Sequence, residues 1–459
     1  MKYYLNLIRG DFLLRLLQIT IPITLQTVVF SSKSIIDTLM LGSLGEYDIA
    51  AIGIAGKALF VVIIFLIGLS SGGAQIAAQY WGSEQANKEQ KLQQTIFLTW
   101  LATTGFALLA AGAFYFLPEV IVGSGTNSAE VIARGSAFLK ITSINFLFFA
   151  YTCSIAVGLR AMHQPSITTF YSLLGVVLNI GLNWVLIFGR FGFPKMGIAG
   201  AAYGTLISAG VETLLLYAHL KWHSHPLSHF PKQVMQAIRR SDVSLLLKLS
   251  IPSAINSTLW ALGVFVFYAV LGSVSVESLA ALSILSPIES FSMALLIGLS
   301  SAASILLGGS IGANRMDEAY ERAWGLVLFS LMIGIITCVT VWLLKAQILA
   351  LFSSLTPAVM RMTGQFFDVM VIAFIVKSVA MMMVVGVLRP GGEAKFCLYL
   401  DFFAQWLLLL PLAAGLRYVL NIDPLYIYGL LLIEESIKVV IAFRRIKSRK
   451  WLNNFVCLA

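Results

Sequence analysis

The chain has 459 residues, 59% of them apolar and 11% charged, against roughly 45–50% apolar and 25% charged in soluble globular domains. The excess runs along nearly the whole length and excludes a soluble globular protein. The net charge of +10 is read as Lys and Arg gathered in loops on one side of a bilayer, so no nucleic acid is expected as a partner.

The opening, MKYYLNLIRGD, is a short lead into the first apolar run. No cleavage site follows, so it is not read as a signal peptide. Twelve spans are predicted, near residues 12–41, 49–79, 94–117, 131–158, 165–189, 196–220, 245–272, 278–310, 320–344, 358–387, 395–418 and 424–444. Each meets the length of about 20 apolar residues that crosses a bilayer. Several are longer, as tilted or protruding helices are. The longest polar connection, KWHSHPLSHFPKQVMQAIRRSDVS at 221–244, falls between spans six and seven. It divides the chain into an amino-terminal lobe (1–221), a cytoplasmic linker (222–244) and a carboxy-terminal lobe (245–459).

Lys and Arg set the orientation. Lys2 and Arg9 lead in, Lys88 and Lys91 follow span two, and Lys221, Lys232, Arg239 and Arg240 fill the linker. Arg389 and Lys395 follow span ten, and Arg444, Arg445, Lys447, Arg449 and Lys450 follow span twelve. Opposite loops such as GSLGEYD and GSVSVES carry none. Both termini are expected in the cytoplasm. Cys153, Cys338, Cys397 and Cys457 form no CxxC pair, so neither a disulfide nor a cysteine zinc site is expected. His223 and His225 sit in the solvated linker, and GLSSGG lacks the phosphate-loop pattern. No cofactor, metal or ATP drive is expected.

Shifted by 230 residues, the chain matches itself. Pro22 meets Pro252, LGS at 41–43 meets LGS at 271–273, and IAAIGI at 49–54 meets LAALSI at 279–284. LIGLSS recurs at 66–71 and 296–301, and Gly82 meets Gly312. GLR at 158–160 meets VLR at 387–389, one residue out of step. Six spans per half send both halves into the membrane in the same direction. Parallel repeats of this kind imply a pseudo-two-fold axis along the membrane normal and a central cavity. The predicted fold is an all-α polytopic membrane protein with twelve transmembrane helices in two pseudo-symmetric six-helix bundles, a transporter plan.

Ionisable side chains within spans cost about 2.5–3.5 kcal/mol at the helix centre on insertion scales, so each is a functional candidate. The first half offers Lys33, Asp37, Lys57, Lys140 and Glu212; the second offers Glu289, Asp368, Lys377, Asp401, Glu434 and Glu435. In span one, SSKSIIDTLMLG, Lys33 and Asp37 are four residues apart and share a helix face. Ser31, Ser32 and Ser34 can bond backbone carbonyls, and Pro22 removes a backbone bond a few turns earlier. A bendable helix carrying a carboxylate suits an ion-coupled switch. Equally, Asp37 can pair with Lys33 or Lys57 and simply hold the lobe together. The repeat offers a control: Phe267 stands opposite Asp37, Gly263 opposite Lys33 and Pro287 opposite Lys57. Ion coupling is therefore expected in the amino-terminal lobe.

In span five, Asn179 and Asn183 lie one turn apart, facing a polar cavity or joining helices. Tyr203, in GAAYGT, is a weaker candidate. Glu289, two residues beyond Pro287, either lines a cavity for a cationic substrate or pairs with Lys377. Met293, Phe291 and Met381–Met383 suit an adaptable apolar surface, or plain packing. Glu434, Glu435 and Lys438 form a local structural cluster. No constellation of acids or histidines marks an embedded enzyme.

DTLMLG, Asp37 to Gly42, resembles the end of the first helix in the multidrug and toxic compound extrusion family. The resemblance continues through LNIGLNWVLIFGRFGFPKMGIAGAAYGT and into VLRPGGEAKF, where Pro390 replaces a usual glycine. It implies a V-shaped, alternating-access, cation-coupled antiporter exporting amphiphilic, mostly cationic compounds. The family's span-one carboxylate maps onto Asp37, and its span-five polar positions map onto Asn179 and Asn183. DinF-like members typically carry an aspartate at the latter. NorM-like members carry acids in spans seven and ten, where this chain has INSTLWALG and KSVAMMMVVG. The leaning is DinF-like, with protons favoured over sodium. A monomer in the cytoplasmic membrane is expected. The alternative is a flippase or exporter of a lipid-linked or secondary-metabolite precursor, for which Lys33 and Lys57 would supply basic groups.

Overall fold

The computed structural model describes residues 10–42, 44–350, 356–420 and 422–456. Lys2, Arg9 and Cys457 lie outside them, as does the side chain of Ser34. The described chain is helical. In chain order the long elements are α1 (Asp11–Gly42), α2 (Glu46–Gly82), α3 (Lys88–Phe116), α4 (a bent pair, Ala129–Thr142 and Asn145–Ala161), α5 (Pro165–Phe188) and α6 (Ile198–Trp222). The second half repeats the series. It has α7 (Arg240–Gly272), α8 (Val276–Gly312), α9 (Met316–Leu343), α10 (Pro357–Met381, running on to Gly391), α11 (Ala394–Phe402, running on to Tyr418) and α12 (Pro424–Lys447).

Every predicted span has its helix, with ends displaced by at most a turn or two. Ten are long and apolar enough to cross a membrane, and the α4 pair, bent by 44°, makes eleven. α12 has the length, 24 residues, but Glu434, Glu435, Lys438, Arg444, Arg445 and Lys447 lower its hydropathy.

Local chemistry sets the helix ends. Pro165, Pro357 and Pro424 open α5, α10 and α12 in the first turn, where a missing N–H costs nothing. Thr356 and Asp423 cap the latter two by accepting from Val359 N and Leu425 N, the ordinary N-cap device. α10 and α11 each pass into a π-helical stretch, Met382–Leu388 and Phe403–Leu409. Each stretch lies just before a proline, Pro390 and Pro411. The missing proline N–H breaks the regular ladder one turn upstream, and the wider turn absorbs the mismatch.

The chain forms two compact units. The carboxy-terminal unit takes the beginning of the chain through Thr24, Ala78–Glu84 and everything from Ile255; the amino-terminal unit takes Leu25–Ala77 and Gln85–Ala254. α1 thus changes unit between Thr24 and Leu25, and α7 between Ala254 and Ile255. These are the same point in the repeat, two residues beyond Pro22 and Pro252.

The amino-terminal core packs Leu66, Leu139, Phe146, Ile187 and Ala202. In the carboxy-terminal unit one cluster gathers Leu16, Leu299, Leu326, Met382 and Trp451, and another gathers Phe267, Leu285, Phe366 and Tyr428. Met382 and Met383 are buried packing residues. The recurring small residues allow close helix approach, as membrane packing needs. A Cβ on Gly298, inside the second LIGLSS, would lie 2.1 Å from Thr24 Oγ1. One on Gly312 would lie 1.9 Å from the Gln79 carbonyl oxygen, and one on Gly82 2.2 Å from Gly309 Cα. The ends of α2 and α8 therefore meet at repeat-related glycines.

Candidate functional site

The amino-terminal unit holds a polar network on α1, α5 and α6. Asn179 and Asn183 sit one turn apart on α5 and are buried at 1% and 2% exposure. Gly204 of α6 makes room for the second amide, since a Cβ there would lie 2.2 Å from Asn183 Oδ1. The small-residue run at the start of α6 thus places a polar side chain as well as packing helices.

Asn183 Nδ2 donates to Asp37 Oδ1 at 2.9 Å and to Asn179 Oδ1 at 3.3 Å. Asn179 Nδ2 donates to Thr205 Oγ1 at 3.3 Å and Ser208 Oγ at 3.2 Å, both on α6. On the other side, Lys33 Nζ donates to Asp37 Oδ2 at 2.5 Å. Asp37 is thus held between a cation one turn back on its own helix and an amide of α5. The Lys33 and Asp37 side chains are only 23% and 21% exposed. Ser32 Oγ donates to the Val28 carbonyl at 2.9 Å, the back-bonding that loosens a helix. Asn183 Oδ1 is buried with no hydrogen-bond partner.

Three of the expected site residues, Lys33, Asn179 and Asn183, therefore join Asp37. Lys57 is exposed on α2. Tyr203 is 39% exposed; the hydroxyls that meet Asn179 are instead Thr205 and Ser208, two and five residues further along α6. Their signal was the three-residue spacing in GTLIS, which puts both on one helix face. Lys140 is exposed near the bend of α4.

Repeat counterparts of the site are apolar or small. Phe267, opposite Asp37, is 1% exposed in the core. Gly263, opposite Lys33, faces the Gln405 amide, which a Cβ there would approach to 2.3 Å. Gln405 Nε2 donates to the Trp260 carbonyl at 3.2 Å.

The carboxy-terminal unit instead has several ionic groups. Glu289 of α8 pairs with Lys377 of α10 at 2.8 Å and accepts from Tyr268 Oη of α7 at 3.0 Å. Pairing is thus what Glu289 does here, and Met293 lies half-buried one turn on. Lys438 of α12 meets Glu434 at 2.6 Å, Asp401 of α11 at 3.6 Å and Glu435 at 4.0 Å. Asp368 pairs with Lys345 at 2.7 Å. Among the described residues no cluster of His, Cys, Asp or Glu could hold a metal ion, and Cys153, Cys338 and Cys397 are free.

A set of membrane-length helices that occurs twice, with charged side chains paired inside it, is the plan of a membrane transporter. The MatE family model matches residues 22–185 and again 252–414. The two starts are 230 residues apart and the two ends 229, the offsets at which the sequence repeats. The chain belongs to the MatE family, the multidrug and toxic compound extrusion transporters. It is 30% identical over 346 residues to the probable multidrug resistance protein YoeA of Bacillus subtilis, covering 72% of each chain. It is 25% identical over 407 residues to the probable multidrug resistance protein NorM of Pasteurella multocida, covering 87% of this chain and 85% of that one. A solved outward-facing multidrug resistance MATE transporter matches the fold with TM-score 0.86 at 16% identity, covering 97% of this chain and 98% of that one. A transporter of Pyrococcus furiosus, whose binding pocket is described as reversed in polarity, matches with TM-score 0.83 at 16% identity, over 97% of this chain and 98% of that one.

Proposed function

We propose that this protein is a proton-coupled antiporter that exports amphiphilic, mostly cationic organic compounds by alternating access, with Asp37 as the coupling carboxylate. The observation that carries the reading is the Asp37 carboxylate held between Lys33 Nζ and Asn183 Nδ2, within a span and without a repeat counterpart. Deprotonated, Asp37 offsets the Lys33 charge. Protonated, it leaves that charge uncompensated in a low-dielectric setting, which disfavours a nearby cationic substrate. Proton and cation therefore exclude each other, which is the requirement for exchange.

Asn183 can serve both states. Its amide N–H donates to the carboxylate, and its unpaired Oδ1 can accept from the acid once the amide turns over. Pro22 and Ser32, upstream of Asp37 on α1, give the helix a place to bend when this bonding changes. The names of YoeA and NorM support drug export as the cargo class. Lys33, on which a lipid-pyrophosphate exporter would rely, is already engaged by Asp37. We place the protein in the cytoplasmic membrane with both termini inside, from the one-sided distribution of Lys and Arg.

Asp37→Asn keeps the amide contacts and removes the titrating group. In proteoliposomes with an imposed proton gradient it should fold, bind ethidium and lose gradient-driven ethidium export. Normal export by the variant would overturn the reading.

A further inference from the structure

Glu212 is a second intramembrane acid of the amino-terminal unit. It lies half-buried on α6, and the ion pairs described in that unit do not include it. Ser172 Oγ of α5 donates to Glu212 Oε1 at 2.8 Å. Gln26 Nε2 of α1 donates to Ser172 Oγ at 3.0 Å, and Arg160 Nη2 of α4 donates to Gln26 Oε1 at 3.1 Å. Every donor points from Arg160 toward Glu212, the polarity that steadies a carboxylate at the far end of a polarised chain. Gly175 leaves space for the other carboxylate oxygen, which a Cβ there would approach to 2.5 Å. Arg160 Nε is buried with no acceptor.

The repeat supplies a comparison. Gln26 is the counterpart of Asn256, and Ser172 of Asp401. Asn256 Nδ2 donates to Asp401 Oδ2 at 2.9 Å, so the bridge from α1 to α5 recurs from α7 to α11. In the carboxy-terminal unit the bridge ends on a lysine: Lys438 stands 3.6 Å from Asp401 and neutralises it directly. In the amino-terminal unit it ends on an acid, and the cation at the start of the path, Arg160, is two neutral side chains away. An intramembrane carboxylate is stabilised either by an adjacent cation or by a proton. Asp401 has the cation; among the described ion pairs Glu212 has none, and the relay is what reaches it. The other charged groups on helices packed against α6, namely Glu130, Arg134 and Lys140, form no described ion pair with it, nor do Tyr151, Tyr171 or His219 bond to it.

We infer that Glu212 is a second proton-binding site of the transport cycle, read by α1 through Ser172 and Gln26. The inference rests on the proton-coupled reading of the chain, at a carboxyl distinct from Asp37. A charged Glu212 holds the Ser172 donor, and through it Gln26 and Arg160. A protonated Glu212 can itself donate, which frees Ser172 to turn and loosens the hold on α1 at Gln26. Gln26 lies one turn beyond Pro22 and two residues past the point where α1 changes unit. The proton comes from bulk water and returns to it.

The test is proton release in weakly buffered detergent when tetraphenylphosphonium is added to the purified full-length protein. Glu212→Gln should cut the protons released per bound cation by about half, since one of two exchanging carboxyls is gone. Ser172→Ala keeps the carboxyl, removes its donor, and should alter the pH dependence of the release; it stands in if Glu212→Gln does not fold. Release unchanged in both variants would overturn the inference, leaving Glu212 structural. Weaker cation binding with unchanged protons per bound cation would also overturn it, making Glu212 a counter-charge for substrate. A drop in Glu212→Gln with none in Asp37→Asn would sink the role of Asp37 and leave that of Glu212 standing.

Discussion

Lys438 is where three acids of the carboxy-terminal unit, Asp401, Glu434 and Glu435, converge. Its side chain is 6% exposed and meets Glu434, at 5%, and Asp401, at 14%. Removing one partner of a buried ion pair costs about 3–5 kcal/mol, because the other charge is left uncompensated. Lys438→Met should therefore lower the thermal stability of the detergent-solubilised protein sharply, and adding Glu434→Gln should recover part of it. A melting temperature equal to the parent's would show that Lys438 is not what neutralises the acids. The local part of this cluster follows from helix spacing in IEESIK. Its link to Asp401, 37 positions earlier on another helix, does not, because pairing between helices depends on how they cross. The same limit separated Asp37–Lys33, four residues apart on one helix, from Asp37–Asn183, 146 residues apart.

At the level of elements, the glycines where α2 and α8 meet are the sharpest constraint. A side chain on Gly312 must displace the Gln79 backbone, whose carbonyl oxygen would lie 1.9 Å from the added Cβ. Overpacking of this kind costs about 1–3 kcal/mol or more, so Gly312→Leu should reduce the yield of monodisperse protein in size-exclusion chromatography. Gly415→Leu, where a Cβ meets nothing within 4 Å, should not. The segment after α12 is a second element-scale feature. Trp451 is fully buried. Gln79 Nε2 donates to the Pro390 and Asn453 carbonyls at 2.8 and 2.9 Å, and Gln79 Oε1 accepts from Phe455 N at 2.8 Å. Trp451→Ala removes the anchor at a cost of about 3–5 kcal/mol. Trypsin should then cut at Arg449 and Lys450 faster than in the parent; equal rates would mean that Gln79 holds the segment alone. From the sequence these residues read only as a basic tail, because an isolated Trp among polar residues carries no helical or strand period.

For the whole molecule, the repeat and the coupling ion are the central questions. The two matches of the family model keep the 230- and 229-residue offsets, and two of the long helices that change unit, α1 and α7, do so just beyond repeated prolines. Whatever driving force the protein uses acts on this duplicated frame, while the Asp37 network occupies one copy only. An imposed proton gradient should drive ethidium export in proteoliposomes and a sodium gradient of equal size should not. A membrane potential adds about 2.3 kcal/mol per 100 mV for each net charge moved. Export driven by sodium alone would reverse the choice of ion.

The sequence by itself determined the number of spans, their approximate ends, the duplication and the position of the unmatched carboxylate. Those properties are local or periodic: apolar length, helix spacing and self-similarity can be counted along a chain. Only the tertiary structure decided which polar groups meet, that Thr205 and Ser208 rather than Tyr203 complete the Asn179 network, that Glu289 is paired, and that a relay reaches Glu212. Those outcomes depend on the crossing of helices far apart in sequence, where one small residue such as Gly204 sets how closely two backbones approach.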